Sequence, residues 1–133
     1  MIRTAIKPMR FQDRDGMILR EIYKRDGMLS RRQIKRMFWP NASTQAMDRR
    51  LLHLRRSEHI NMPSVDDKRF HANPEPIVWL GWRGLLCLAA ESGLDLAAPV
   101  TANENQLRKL ETQARQAGIH WKREPRWSQL SHD

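Results

Sequence analysis

A proline at position 40 divides the most constraining stretch of the chain, Met37–Arg50, written MFWPNASTQAMDRR. Proline disfavours helical geometry in the residue before it and has no amide hydrogen for the helix ladder. The apolar run Met37-Phe38-Trp39 must therefore stop there. Asn41 or Ser43 then stands ready to cap a new helix almost at once. That second piece places leucines on one side and arginines on the other. Two short helices broken this closely have to pack against each other, because neither is stable alone.

The flanking sequence supplies further helices. Ile18, Leu19, Ile22 and Tyr23 share one face of a helix over residues 13–25, with Gln12 or Asp13 at its cap and Asp26-Gly27 at its stop. Ser30-Arg31-Arg32-Gln33 reads as a capping box, and Leu29 with Ile34 as a hydrophobic staple. These start a helix whose inner stripe is Ile34, Met37 and Phe38. The third helix runs to Ser57. Met47, Leu51 and Leu54 fall on its inner face with Thr44 nearby, while Gln45, Arg49, His53 and Arg56 fall opposite. Asp48 and Leu52 lie at the boundary.

After it the chain turns to strand. Ile60-Asn61-Met62 is short, residues 64–76 hold prolines and charges, and Ile77–Leu80 is strand-like between Pro76 and Gly81. A strand, a loop tipped by Lys68 and Arg69, and a returning strand describe a wing. Residues 82–92 make a fourth helix ending at Gly93. The expected architecture is mainly α with a small β wing: a winged helix-turn-helix over residues 1–93, a linker over 94–103, a C-terminal helix over 104–118, and an extended tail over 119–133. Leu51 and Leu54 should pack on the first two helices, with Trp79 and Leu80 covering them. In the C-terminal helix Leu107, Leu110, Ala114 and Ala117 recur at intervals of three and four. Such a seam serves a homodimer or folds back onto the fourth helix around Leu85, Leu88 and Ala89.

Composition narrows the partners. Lys and Arg number 24 against 15 Asp and Glu, a formal charge of +9 over 133 residues, which favours a polyanion such as nucleic acid. The single cysteine, Cys87, forms no internal disulfide, consistent with a reducing cytoplasm. The N-terminal stretch has no apolar segment of signal-peptide type, so Asn41-Ala42-Ser43 is a chance glycosylation match. The longest apolar run is interrupted by Arg83 and falls short of the ~20 residues that span a bilayer. His53, His59 and His71 are scattered, and neither HExxH nor paired CxxC occurs, so no metal or cofactor is expected. Nor is there a Gly-rich phosphate loop.

Four segments, FQDRDGMILREIY, MLSRRQIKRMFWPNAS, MDRRLLHLRRSEHI and IVWLGWRGLLCLA, resemble the replication-relaxation family of plasmid and mobile-element winged-helix proteins. The family pattern is an R-D-x-x-I-L helix, an L-x-x-x-Q-I helix, an R-R-L-x-x-L recognition helix, and an aromatic wing strand followed by a helix. The tail REPRWSQLSHD resembles the family's link into its later region. The resemblance covers the larger part of the chain, and its motifs are mostly structural. Longer members continue into a nuclease-like region; this chain ends at His132-Asp133, so no such centre is carried over. Gln12 replaces the usual Thr or Ser cap, which predicts a less well capped first helix.

The expected function is therefore sequence-specific binding of double-stranded DNA, without enzymatic activity, in replication, transfer or transcriptional control. Arg31, Arg32, Thr44, Gln45, Asp48, Arg49, His53 and Arg56 are the candidate contacts from the two helices, and Lys68 and Arg69 those from the wing. Asp48 either accepts from a base amine or pairs with a cation within its own helix. Trp121 and Trp127 stack on bases or, as favoured here, pack on protein. The competing functions are a targeting domain of a nuclease-like protein and a protein-binding winged helix. A solvated helix face with no ligand is the plain alternative for every cation named.

Overall fold

The computed structural model describes residues 11–25, 27–63, 76–121 and 123. In chain order these form α1 (Asp13–Lys24), β1 (Met28–Ser30), α2 (Arg31–Phe38), α3 (Thr44–Arg56), β2 (Ile60–Asn61), β3 (Ile77–Leu80), α4 (Trp82–Glu91) and α5 (Glu104–Gln116). The described residues are mainly helical, with one small antiparallel sheet in the order β1-β3-β2. Its centre, β3, is buried at all four positions, which is why the sequence there is apolar without alternation. Leu29 pairs with Val78 on one side, and Ile60 pairs with Leu80 on the other.

Capping chemistry sets the helix starts. At α2 the Ser30 hydroxyl accepts from the Gln33 amide at 3.0 Å, and Gln33 Oε1 accepts from the Ser30 amide at 2.9 Å. At α3 the Ser43 hydroxyl accepts from Ala46 N at 3.1 Å, so Ser43 rather than Asn41 is the cap. The first helix is better finished than Gln12 suggests. The Gln12 amide donates to Asp15 Oδ2 at 2.8 Å, so an acid three residues on does the capping. Trp39 leaves helical geometry before Pro40 (φ −135°, ψ 51°) and is itself buried.

The core joins Ile18, Leu19 and Ile22 of α1, Leu29, Ile34, Met47, Leu51 and Leu54, the β3 residues Val78 and Leu80, and Leu85 and Ala89 of α4. Leu51 and Leu54 are thus buried as expected. Leu80 belongs with them, but Trp79 lies outside that cluster. Alternation along the strand turns its indole the other way, where Nε1 donates to the Arg123 carbonyl at 2.8 Å. Tyr23 also departs from expectation: it is 37% exposed and lines a groove with Lys24 and Leu88, one position past the true stripe.

Leu110 and Ala114 of α5 are buried in this same core, with Leu107 packed partly against it. Of the two uses weighed for the seam, folding back onto the chain's own core is therefore the one that its burial follows. Leu94 and Leu96 of the connecting segment also pack on the core, as do Ile119 and Trp121 beyond α5. Trp121 Nε1 donates to the Leu80 carbonyl at 3.1 Å. Of the tail expected as extended, residues 119–121 are thus integrated. Trp127 and the segment carrying Lys68, Arg69 and His71 lie outside the described residues.

Two glycines fix α4 against the end of α3. A Cβ at Gly81 would stand 2.2 Å from the Glu58 carbonyl oxygen, and one at Gly84 2.2 Å from that of His59. Backbone meets backbone there, and no side chain fits. The approach is secured by Gly81 N donating to His59 O at 3.0 Å and Arg83 N to Glu58 O at 3.1 Å.

Adjacent leucines test this arrangement. Leu51→Ala should destabilise the protein by about 2–5 kcal/mol, the usual cost of a truncated core leucine. Leu52 is 41% exposed, and Leu52→Ala should stay within about 0.5 kcal/mol of the parent. Urea unfolding of the two variants measures the contrast, and equal losses would overturn the assigned faces of α3.

Candidate nucleic-acid interface

The candidate surface is built on α3, and its orientation is fixed from the inner side. Arg50 points inward beside Leu51 and meets Asp15 of α1. Arg50 Nε donates to Asp15 Oδ1 at 2.9 Å, and a second guanidinium nitrogen donates to Oδ2. Asp15 has no solvent exposure, and the Arg50 side chain only 16%. The hydrogen bond to Asp15 pushes the Arg50 pKa up from its already high ordinary value, against the opposing effect of burial. The guanidinium stays charged, and the pair is a fixed strut between α1 and α3. Arg14, next to Asp15, lies over the Trp39 ring at 4.5 Å, tying α1 also to the turn between α2 and α3.

A second pair joins α2 to α3. Asp48 Oδ1 accepts from Arg31 Nε at 2.7 Å and Oδ2 from Arg31 Nη2 at 2.6 Å. The carboxylate expected to face a base or a cation of its own helix is instead held in a fork by the neighbouring helix. The reason is geometric: Asp48 sits at the edge of the outer face, where α2 passes. Both carboxylate oxygens are engaged in this way.

With Asp48 paired sideways to α2, the outer face of α3 carries Gln45, Arg49, His53 and Arg56, all exposed. Asp48 is the only acid in the helix. Thr44 is exposed at the first turn and Arg32 is exposed on α2, so these flank the row rather than join it. His53, Arg55 and Arg56 occupy the last turn, where cations complement the helix dipole by about 0.3–1 kcal/mol. That local use accounts for them without any ligand. It does not reach Arg49, mid-helix, which has no ion pair among the described residues.

At the far end of α3, His59 is half-buried with Nδ1 2.7 Å from the Ser57 hydroxyl oxygen and its ring 5.3 Å from that of Phe11. Burial first, then the Arg83 charge, lower its pKa from the ordinary 6.5; Asp15 opposes this and Arg50 adds to it. His59 thus serves packing, while His53 is exposed. Among the described residues no group of three or more His, Cys, Asp or Glu side chains is placed to hold a metal ion, and no helix is long and apolar enough to cross a membrane.

The inward residues Asp15 and Arg50 were not among the candidates. Their signal was present: each is a charged residue in register with an apolar stripe, with opposite signs on two helices, and each falls in a motif of the resemblance. No family in a scan of protein families matches the chain, and no curated protein matches it.

Two outcomes follow. Asp15→Ala should cost about 3–5 kcal/mol by leaving Arg50 largely buried without its counter-charge, whereas Asp15→Leu combined with Arg50→Met should recover most of that loss. Urea unfolding of the single and double variants reads the coupling. For His59, a lowered folded pKa means that the unfolded chain binds the proton more readily. Stability should therefore be full above about pH 6.5 and decline as pH falls below it. The melting temperature should drop between about pH 7 and about pH 5.5, and drop less in His59→Gln; identical pH profiles for the two proteins would remove His59 from the account.

Proposed function

We propose that this protein is a winged helix-turn-helix that binds double-stranded DNA, with α3 lying in the major groove. The observation that carries this reading is Arg49: an exposed mid-helix cation with no acidic partner among the described residues, aligned with Gln45, His53 and Arg56. A solvated face accounts for terminal arginines, but a row of donors whose one neighbouring carboxylate, Asp48, is held by Arg31 is what base edges and phosphates call for. The formal charge of +9 supports an anionic partner. Short α2 followed by a tight turn into α3, and the β2–β3 pair directly after it, supports the architecture.

Within this reading, Gln45 and Arg49 face base edges, Arg56 and His53 the far side of the groove, and Arg32 and Thr44 the flanking backbone. Lys68 and Arg69, the cations expected from the sequence between β2 and β3, lie outside the described residues. The resemblance to the replication-relaxation family gives the setting, a plasmid or mobile element, with a role in replication, transfer or transcriptional control inside the cell. Because Leu110 and Ala114 are committed to the chain's own core, a palindrome read by a dimer through α5 is not part of the proposal.

Fluorescence anisotropy over a salt series tests it. Affinity for duplex DNA should fall steeply with salt, with a log–log slope that drops by about one unit for each phosphate contact removed. Arg49→Ala should cost about 1–3 kcal/mol on the selected site and relax the preference at one base pair, whereas Arg32→Ala should weaken all sequences alike. No binding to any duplex at low salt would end the proposal.

A further inference from the structure

Leu52 has no structural use where it stands. It is 41% exposed and takes no part in the core cluster, and a lysine or glutamine would serve the helix about as well. Single exposed leucines are ordinary on protein surfaces, so its exposure says little by itself. Its position says more. Leu52 comes three residues after Arg49 and four before Arg56, spacings that bring all three side chains onto one line along α3. Neither arginine has an ion pair among the described residues. An isolated apolar side chain is thus flanked fore and aft by unneutralised cations.

The complement of such a line is a surface that is anionic at its edges and carries a small apolar group between them. The major groove of a DNA duplex has that form. Phosphates border it, and the C5-methyl of thymine is the apolar group presented on its base edges. An acidic amphipathic peptide would fit less well, because it offers a continuous apolar stripe and meets here one leucine among polar neighbours. We infer that Leu52 is a specificity residue that packs on a thymine C5-methyl, so that the target contains an A·T pair opposite the middle of α3, between the positions faced by Arg49 and Arg56. This inference rests on the DNA-binding reading above.

The experiment uses the full chain and the duplex that it selects from a random pool. Each thymine of that duplex is replaced in turn by deoxyuridine, which keeps the hydrogen-bonding edge and lacks the methyl. One replacement should weaken wild-type binding about four-fold, the worth of one buried methyl group. The same replacement should leave the affinity of Leu52→Ala unchanged. Leu52→Ala remains a fair probe because alanine is the best helix former and the site is outside the core; its urea midpoint checks this. If the wild type tolerates deoxyuridine everywhere while Arg49→Ala still loses affinity, the Leu52 inference falls and the DNA reading stands. If a replacement weakens both proteins equally, another residue senses that methyl and the inference also falls. If no duplex binds at low salt, both fall, and capture of an acidic peptide probe would then mark the face as protein-binding.

Discussion

Asp15 is a carboxylate with no contact with solvent, and the surrounding structure has to answer for it. An unpaired charge in that position would cost several kcal/mol, far more than a typical surface contact returns. Arg50 supplies the counter-charge through two hydrogen bonds, and the Gln12 amide takes a further share of Oδ2. Start of α1 and middle of α3 are thereby placed relative to each other by directional bonds, while Ile18, Leu19, Leu51 and Leu54 fill the space beside them. Apolar packing alone tolerates small rotations of a helix about its axis. A two-pronged ion pair does not, so Arg50 sets which residues of α3 face out.

The opposite end of α3 is set by different means. Glu58 takes a left-handed conformation (φ 63°), unusual for a residue with a side chain, and is kept there by what surrounds it. Its carbonyl accepts from Arg83 N, and its carboxylate accepts from Trp82 Nε1 at 2.9 Å. Helix α4 thus grips the end of α3 from both backbone and side chain. The C-terminal part closes the assembly from the far side of β3. Arg123 gives its carbonyl to Trp79, while its guanidinium reaches Glu104 at 2.7 Å and Glu111 at 3.5 Å on α5.

Much of this was legible in the sequence, because much of it is local. Capping at Ser30, the break at Pro40, the two faces of α3 and the apolar run of β3 follow from neighbours within a few residues. What was not legible depends on distance along the chain. β1 is three residues long and exists because Val78 and its neighbours pair with it, not because Met28-Leu29-Ser30 prefers a strand. Asp48 has cations on its own helix, but its partner came from α2, a choice that only the helix packing makes. The α5 seam reads from sequence as an interface between chains slightly more readily than as one within the chain, yet Leu110 and Ala114 are buried in the chain's own core. Tyr23 looked like the edge of a stripe whose width the neighbouring elements decide.

The separation of the two faces of α3 bears on which substitutions the protein can absorb. Gly81 and Gly84 admit no side chain, and Asp15 and Arg50 must change together or not at all. Gln45, Arg49, Leu52, His53 and Arg56 are absent from the core that these residues hold in register. Substitutions along that row alter what the surface meets without disturbing what keeps it folded. The outward chemistry of α3 can thus be altered without unsettling the inward chemistry, and the boundary between the two runs down the sides of a single helix.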